Sequence, residues 1–155
     1  MQLNISTCYA MQIMLDLARN KKIVPSLKLT SNLPVSQRYV LQIAGKLRDG
    51  GLINAHAGMK GGYTLVKEAS EISVFDVITL MEGDMSIPEC RTRLPDCGAP
   101  CVNPTLYASL NAMKEYVDAY LQTITFDKLV SMDITGTLPE ILVLIDEHIK
   151  EIKQK

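Results

Sequence analysis

Helical periodicity in the first fifty residues, a glycine-rich turn between two short strand-prone runs, and a long helical stripe behind a proline- and cysteine-rich interruption predict a mainly α chain with one small β-hairpin. Ile5, Tyr9, Ile13 and Leu17 recur every four residues, with Ala10 and Met14 beside them. That spacing predicts an amphipathic helix from about residue 5 to residue 20. Cys8, Met11, Leu15 and Ala18 form a second stripe, so this helix is expected to pack on two sides, one of which can belong to another chain. Asn20-Lys21-Lys22 breaks the pattern, and a short helix is expected over 27–32. It stops before Pro34, because the residue preceding a proline is pushed out of helical backbone.

Ser36 reads as the N-cap of a third helix, which ends at Gly50-Gly51. Its apolar side is Val40, Ile43, Ala44 and Leu47. At about 100° per residue the opposite side carries Arg38, Gln42, Gly45, Lys46 and Asp49. Residues 52–56 and 63–66 read as strands around the tip Ala57-Gly58-Met59-Lys60-Gly61-Gly62. Three helices followed by a two-stranded hairpin is the winged helix-turn-helix plan. Ser73 starts a further helix through about Glu82, with Phe75, Val77, Ile78 and Met81 apolar.

Residues 84–103 hold Pro88, Pro95, Gly98, Pro100 and three of the four cysteines, which excludes a regular element. A loop of that length in a compact domain is usually functional. Pro104 suits the first turn of the next helix, whose stripe is Leu106, Leu110, Met113, Val117, Tyr120 and Leu121. Residues 126–132 add one short helical turn. Residues 139–155 are amphipathic, with Leu138, Ile141, Leu142, Ile145, Ile149 and Ile152 on a face expected to dock on its own chain or a partner.

With 47% hydrophobic and 21% charged residues, the composition is that of a globular protein. There is no Trp and there are only two Phe, so aliphatics and eight Met must fill the core. The first residues lack the basic stretch and apolar run of a signal peptide, and the longest clean apolar run, Ile141 to Ile145, is too short to span a membrane. A soluble, cytoplasmic protein without membrane association is expected. The net charge of −1 conceals an asymmetry: residues 1–67 hold nine Lys/Arg against two Asp/Glu, and residues 68–155 hold seven against fifteen. A first half at +7 fits a polyanionic partner, although chance clustering on a solvated surface gives the same count.

A helix in the major groove reads base edges with side chains near its N-terminus. Ser36, Gln37, Arg38 and Gln42 are suitable there, since Arg pairs with guanine and Gln with adenine. Lys46 and Lys60 suit phosphates, which position a protein without specifying sequence. His56 reads as a wing side chain near DNA rather than a metal ligand. The bland alternative is an ordinary amphipathic helix with a surface hairpin.

Cys90, Cys97 and Cys101 fall within twelve residues. Structural disulfides are rare in cytosolic chains, so the cluster favours metal or redox chemistry. Thiolates are soft ligands for iron–sulfur clusters, zinc or copper(I). Unligated surface thiols and a metal-free thiol–disulfide switch remain open. Cys8 alone reads as well as a small buried apolar residue.

Several segments together resemble the Rrf-type family of winged-helix regulators, of the IscR/NsrR kind, over roughly residues 1–130. They are Ser6-Thr7-Cys8-Tyr9-Ala10, Leu15-Asp16-Leu17-Ala18, Ser36-Gln37-Arg38-Tyr39, Lys46-Leu47-Arg48, Gly50-Gly51-Leu52-Ile53, Gly61-Gly62-Tyr63-Thr64-Leu65 and Ile72-Ser73-Val74-Phe75-Asp76-Val77-Ile78. The resemblance implies a homodimer binding palindromic double-stranded operators, with the helix after the cysteine loop crossing between subunits. It adds Tyr39 to the candidate DNA-binding set.

The resemblance also implies three cluster ligands in the loop. Some members place a His three residues after the last cysteine, where this chain has Pro104, which cannot ligate. Others use an acidic residue of the first helix of the opposite subunit, at the position of Cys8. The implied set is therefore Cys90, Cys97 and Cys101 with Cys8 of the partner subunit, around an iron–sulfur cluster, four-iron preferred over two-iron. Zinc in the same four thiolates is the alternative.

Leu41 and Ala57 replace the Glu and Arg common in the family, which leaves room for an adaptor that no longer binds DNA. The expected organisation is a DNA-binding domain over 1–83, a sensor loop over 84–103, and a dimerisation helix with an amphipathic tail over 104–155. The expected function is a transcriptional repressor sensing redox, nitric oxide or iron status. A zinc-binding or thiol-switch regulator of the same fold is the other option. No Cys-x-x-Cys pair, Ser/His/Asp set or phosphate loop points to an enzyme.

Overall fold

The computed structural model describes residues 3–31, 33–58, 60–83 and 103–132. Cys90, Cys97, Cys101, Met59 of the hairpin tip and the expected tail over 139–155 lie outside them. Six α-helices, one 3₁₀ turn and two strands are described. The helices are α1 (Ile5–Arg19), α2 (Ser26–Ser31), α3 (Gln37–Asp49), α4 (Val74–Glu82), α5 (Pro104–Thr123) and α6 (Phe126–Ser131). The strands β1 (Ile53–His56) and β2 (Gly62–Leu65) precede the 3₁₀ turn (Ala69–Glu71). Every predicted element within the described residues is present, its ends moved by a residue or two.

α1 is the central helix and touches α3, α4 and α6. Its first stripe explains this: Ala10, Ile13 and Met14 are fully buried and Leu17 nearly so, against Val40, Ile43, Ala44 and Leu47 of α3. In the second stripe Met11, Leu15 and Ala18 are half-buried on the same core. Cys8 is exposed, so packing against the described residues does not occupy it.

The hairpin is antiparallel, with Ile53 opposite Leu65 and His56 opposite Gly62. A bridge absent from the sequence reading anchors it. Val24, between α1 and α2, exchanges two 2.9 Å backbone hydrogen bonds with Tyr63. Gly62 permits that approach, since a Cβ there would lie 2.2 Å from the Val24 carbonyl oxygen.

Ser73 caps α4 and belongs to a capping box with Asp76, whose carboxylate accepts from the Ser73 backbone N–H and hydroxyl at 2.7 Å. Asn103 caps α5 by accepting from the Thr105 amide at 2.9 Å, and Pro104 occupies the first turn. α5 returns to the domain at its end, where Leu121 packs with Val74 and Ile78. The chain then places Phe126 of α6 fully inside the main core. A backbone bond from Phe126 N–H to the Ile72 carbonyl (3.0 Å) fixes that return. Farther up α5, Leu106, Met113 and Tyr116 are each more than half exposed.

Candidate nucleic-acid interface

α3 owes its position to one face and its candidate chemistry to the other. With Val40, Ile43, Ala44 and Leu47 fixed in the core, a helical turn of 3.6 residues directs Arg38, Gln42 and Lys46 outward. All three are exposed, and none makes a hydrogen bond or ion pair to a described residue. Gln37 is exposed at the first turn. Ser36 is exposed too and spends its hydroxyl as the N-cap, accepting from the Tyr39 amide at 3.3 Å. Tyr39 is half-buried and packs edge-on against Tyr9 of α1, ring centres 6.2 Å apart. Its ring braces the first turn of α3 on α1. The acidic residue on the outer face is held: Arg48 donates to Asp49 through Nε at 2.9 Å and Nη2 at 2.8 Å.

The hairpin supplies the second group of side chains. His56 and Lys60 are exposed, and His56 Nε2 lies 2.9 Å from Thr64 Oγ1 across the strands. Gly58 takes φ +101°, which an L side chain rarely adopts. Gly61 lies so close to the His56 carbonyl that a Cβ would clash with it at 2.2 Å. The tip is therefore tight, and among its described residues Lys60 carries the one charged side chain. The two groups together put exposed cations at both ends of α3 and on the hairpin tip.

Cys8 lies in the first turn of α1, next to a contact invisible in the sequence. Asn4 has no side-chain capping bond of its own. The Glu82 carboxylate at the end of α4 accepts from the Asn4 backbone N–H at 2.8 Å, from the Asn4 side-chain amide and from the Thr7 hydroxyl. Thr7 is fully buried beside the exposed Cys8. The Thr7 hydroxyl, then the Asn4 amide, hold the Glu82 carboxyl below its ordinary range. A carboxylate at a helix N-terminus also complements the helix dipole. The last turn before residue 84 is thus bonded to the turn that carries Cys8. Among the described residues no three His, Cys, Asp or Glu side chains converge as a metal site. No helix among them is long and apolar enough to cross a membrane.

A short helix, a turn and an exposed second helix, flanked by a hairpin, make up the winged helix-turn-helix architecture of DNA-binding regulators. Residues 3–132 match the Rrf2 family, described as iron-dependent transcriptional regulators, and the chain belongs to that family. It is 33% identical over 134 residues to the transcriptional regulator IscR of Vibrio atlanticus, spanning 84% of this chain and 75% of that one. Among solved structures it is similar to CymR, the global cysteine regulator of B. subtilis. That match has a TM-score of 0.71 and 23% identity, covering 84% of this chain and 97% of that one, and it speaks for the fold alone. The oxidised form of Staphylococcus aureus CymR matches at 27% identity and a TM-score of 0.66, over 88% of this chain and all of that one. The family and the IscR relative are transcriptional regulators and not enzymes, and DNA binding comes with the family.

Proposed function

We propose that two copies of this chain bind a palindromic operator and repress transcription, with Cys90, Cys97, Cys101 and Cys8 of the partner subunit holding an iron–sulfur cluster that sets operator affinity. The observation that carries the DNA reading is the outward row Arg38, Gln42 and Lys46, free of described partners, beside a hairpin tip bearing Lys60. Ser36 and Tyr39 serve that row by capping and bracing the helix. Gln37, Arg38 and Gln42 reach base edges; Lys46, Lys60 and His56 reach the backbone.

The cluster reading is supported by the donor chemistry. The Cys8 thiol is exposed rather than packed in its own core, as a ligand lent to another subunit must be. The other three thiols lie close together in sequence, and the family description is that of iron-dependent regulators. Such a cluster supplies a redox- and nitric oxide-sensitive set of iron–thiolate bonds. This chain's part is mechanical: the bonds of Glu82 to Asn4 and Thr7 hold the turn bearing Cys8 against the end of α4. A pull on the end of α4 from a bound cluster would therefore reach α1, which packs directly on α3. Two α3 helices must sit about one DNA turn apart to occupy both half-sites, so a small change in their spacing changes affinity.

Protein purified without oxygen tests the ligand set. Wild type is expected to be coloured and to contain iron and sulfide. Cys8→Ala, at an exposed position, is expected to fold normally while losing most visible absorption. Full absorption and cluster stability in Cys8→Ala would remove the partner ligand from the scheme. A metal-free thiol switch is the second reading, favoured by the exposed Cys8 and by the oxidised form in which S. aureus CymR was solved. Colourless, iron-free protein with an oxidant-sensitive disulfide would select it.

A further inference from the structure

Two positions of α3 off its core face, one exposed and one half-buried, suit neither hydrogen-bonding readout nor the core. Leu41 is 37% exposed, a large aliphatic side chain among Gln37, Arg38 and Gln42. Gly45 lies one turn on, in the middle of the helix. Nothing among the described residues requires glycine there: its φ is not positive, and a Cβ would meet none of them within 4 Å. A mid-helix glycine is less stable than alanine in the same open place. Helical side chains lean toward the N-terminus, so the side chain at position 45 would cover the patch beside Leu41. Its absence leaves that flank bare, bounded by the Leu41 side chain on one side and helix backbone on the other.

We propose that Leu41 and the bare backbone at Gly45 form a slot for the 5-methyl group of one thymine in each operator half-site. The inference rests on the DNA-binding reading above. In the major groove the base edges present hydrogen-bonding groups, and the thymine methyl is the apolar exception. A leucine pressed on any other edge desolvates polar atoms without giving them a partner. Arg38 and Gln42 flank the slot and supply the polar contacts to neighbouring base pairs. Gly45 lets the helix sink until the methyl touches both Leu41 and backbone.

The test begins by selecting duplexes from a randomised synthetic library with the full-length protein. Each thymine of the enriched duplex is then replaced in turn by deoxyuridine, which lacks only the methyl. Burying one such group is worth about fourfold in affinity, so one position per half-site is expected to weaken wild type by about that factor. Leu41→Ala is expected to bind thymine and deoxyuridine duplexes equally. Gly45→Ala is expected to melt about 2–4 °C higher than wild type, yet to bind the selected duplex more weakly. Deoxyuridine tolerated at every position, or a methyl dependence undiminished in Leu41→Ala, overturns the proposal. So does a Gly45→Ala protein with unchanged affinity. Enrichment of no sequence at all overturns the DNA-binding reading with it, whereas enrichment without methyl dependence overturns only the slot.

Discussion

Replacing Lys46 and Lys60 by Gln separates phosphate contacts from base reading. Lys46 lies eight residues along α3 from Arg38, or about 12 Å at 1.5 Å per residue. The major groove is about 12 Å wide, so a helix reading bases with Arg38 brings Lys46 to the groove wall. Lys60 is exposed on the hairpin, a separate element, and would meet the backbone separately in the proposed complex. In the proposed dimer these lysines would make four phosphate contacts. Each contact contributes about −0.9 to the slope of log affinity against log salt, so together they contribute about −3.6. Raising salt from roughly 50 to 200 mM then weakens the lysine-dependent part of binding about 150-fold. Lys46→Gln or Lys60→Gln alone is expected to flatten the slope by about 1.8, and the double variant by about 3.6. Both lysines are exposed, so folding is unaffected. Fluorescence anisotropy on one labelled duplex across a salt series reads these slopes. If neither lysine alters the slope, α3 and the hairpin do not meet the DNA backbone in this arrangement.

Three further outcomes concern the scaffold. Phe126→Ala deletes a fully buried ring and is expected to cost about 3–5 kcal/mol, read by urea denaturation. Ser73→Ala removes the hydroxyl of the α4 cap and is expected to cost about 1 kcal/mol in the same assay. Glu82 has a lowered carboxyl pKa, so its contribution is full above the ordinary carboxylate range and is lost as pH falls through the lower folded value. Glu82→Gln is therefore expected to be less stable than wild type at neutral pH, with the gap closing on acidification; a gap constant down to pH about 3 would show that the carboxylate charge plays no part.

Much of this molecule could be read locally. The α1 stripe, the Ser36 cap, the Ser73 start and Pro104 at the head of α5 each lie within a few residues of what they determine, and each is found where periodicity and capping chemistry put it. The outward row of α3 followed from the same periodicity. Contacts between distant segments were not legible. Glu82 bonds to Asn4 across 78 positions, and nothing near Asn4 announces it. Val24 lies between two predicted helices and belongs to no predicted element, yet it pairs with Tyr63 in an isolated bridge. Phe126 read as part of one more helical turn, and its place in the main core depends on α5 carrying the chain back. One usable clue was present: the chain has only two Phe, and such residues are rarely left in water. Tyr39 came into the DNA-binding set by family resemblance, while its ring lies against Tyr9. A residue at the N-terminus of a recognition helix can brace it rather than read with it.

The sensing account is tested most directly by titrating one duplex from the gene's own promoter region at fixed salt, first with iron-loaded protein kept free of oxygen and then with the same protein after iron removal. Coupling energies between linked sites usually amount to about 5- to 150-fold, and a shift of that size is expected here. Identical binding curves for the two forms would contradict it.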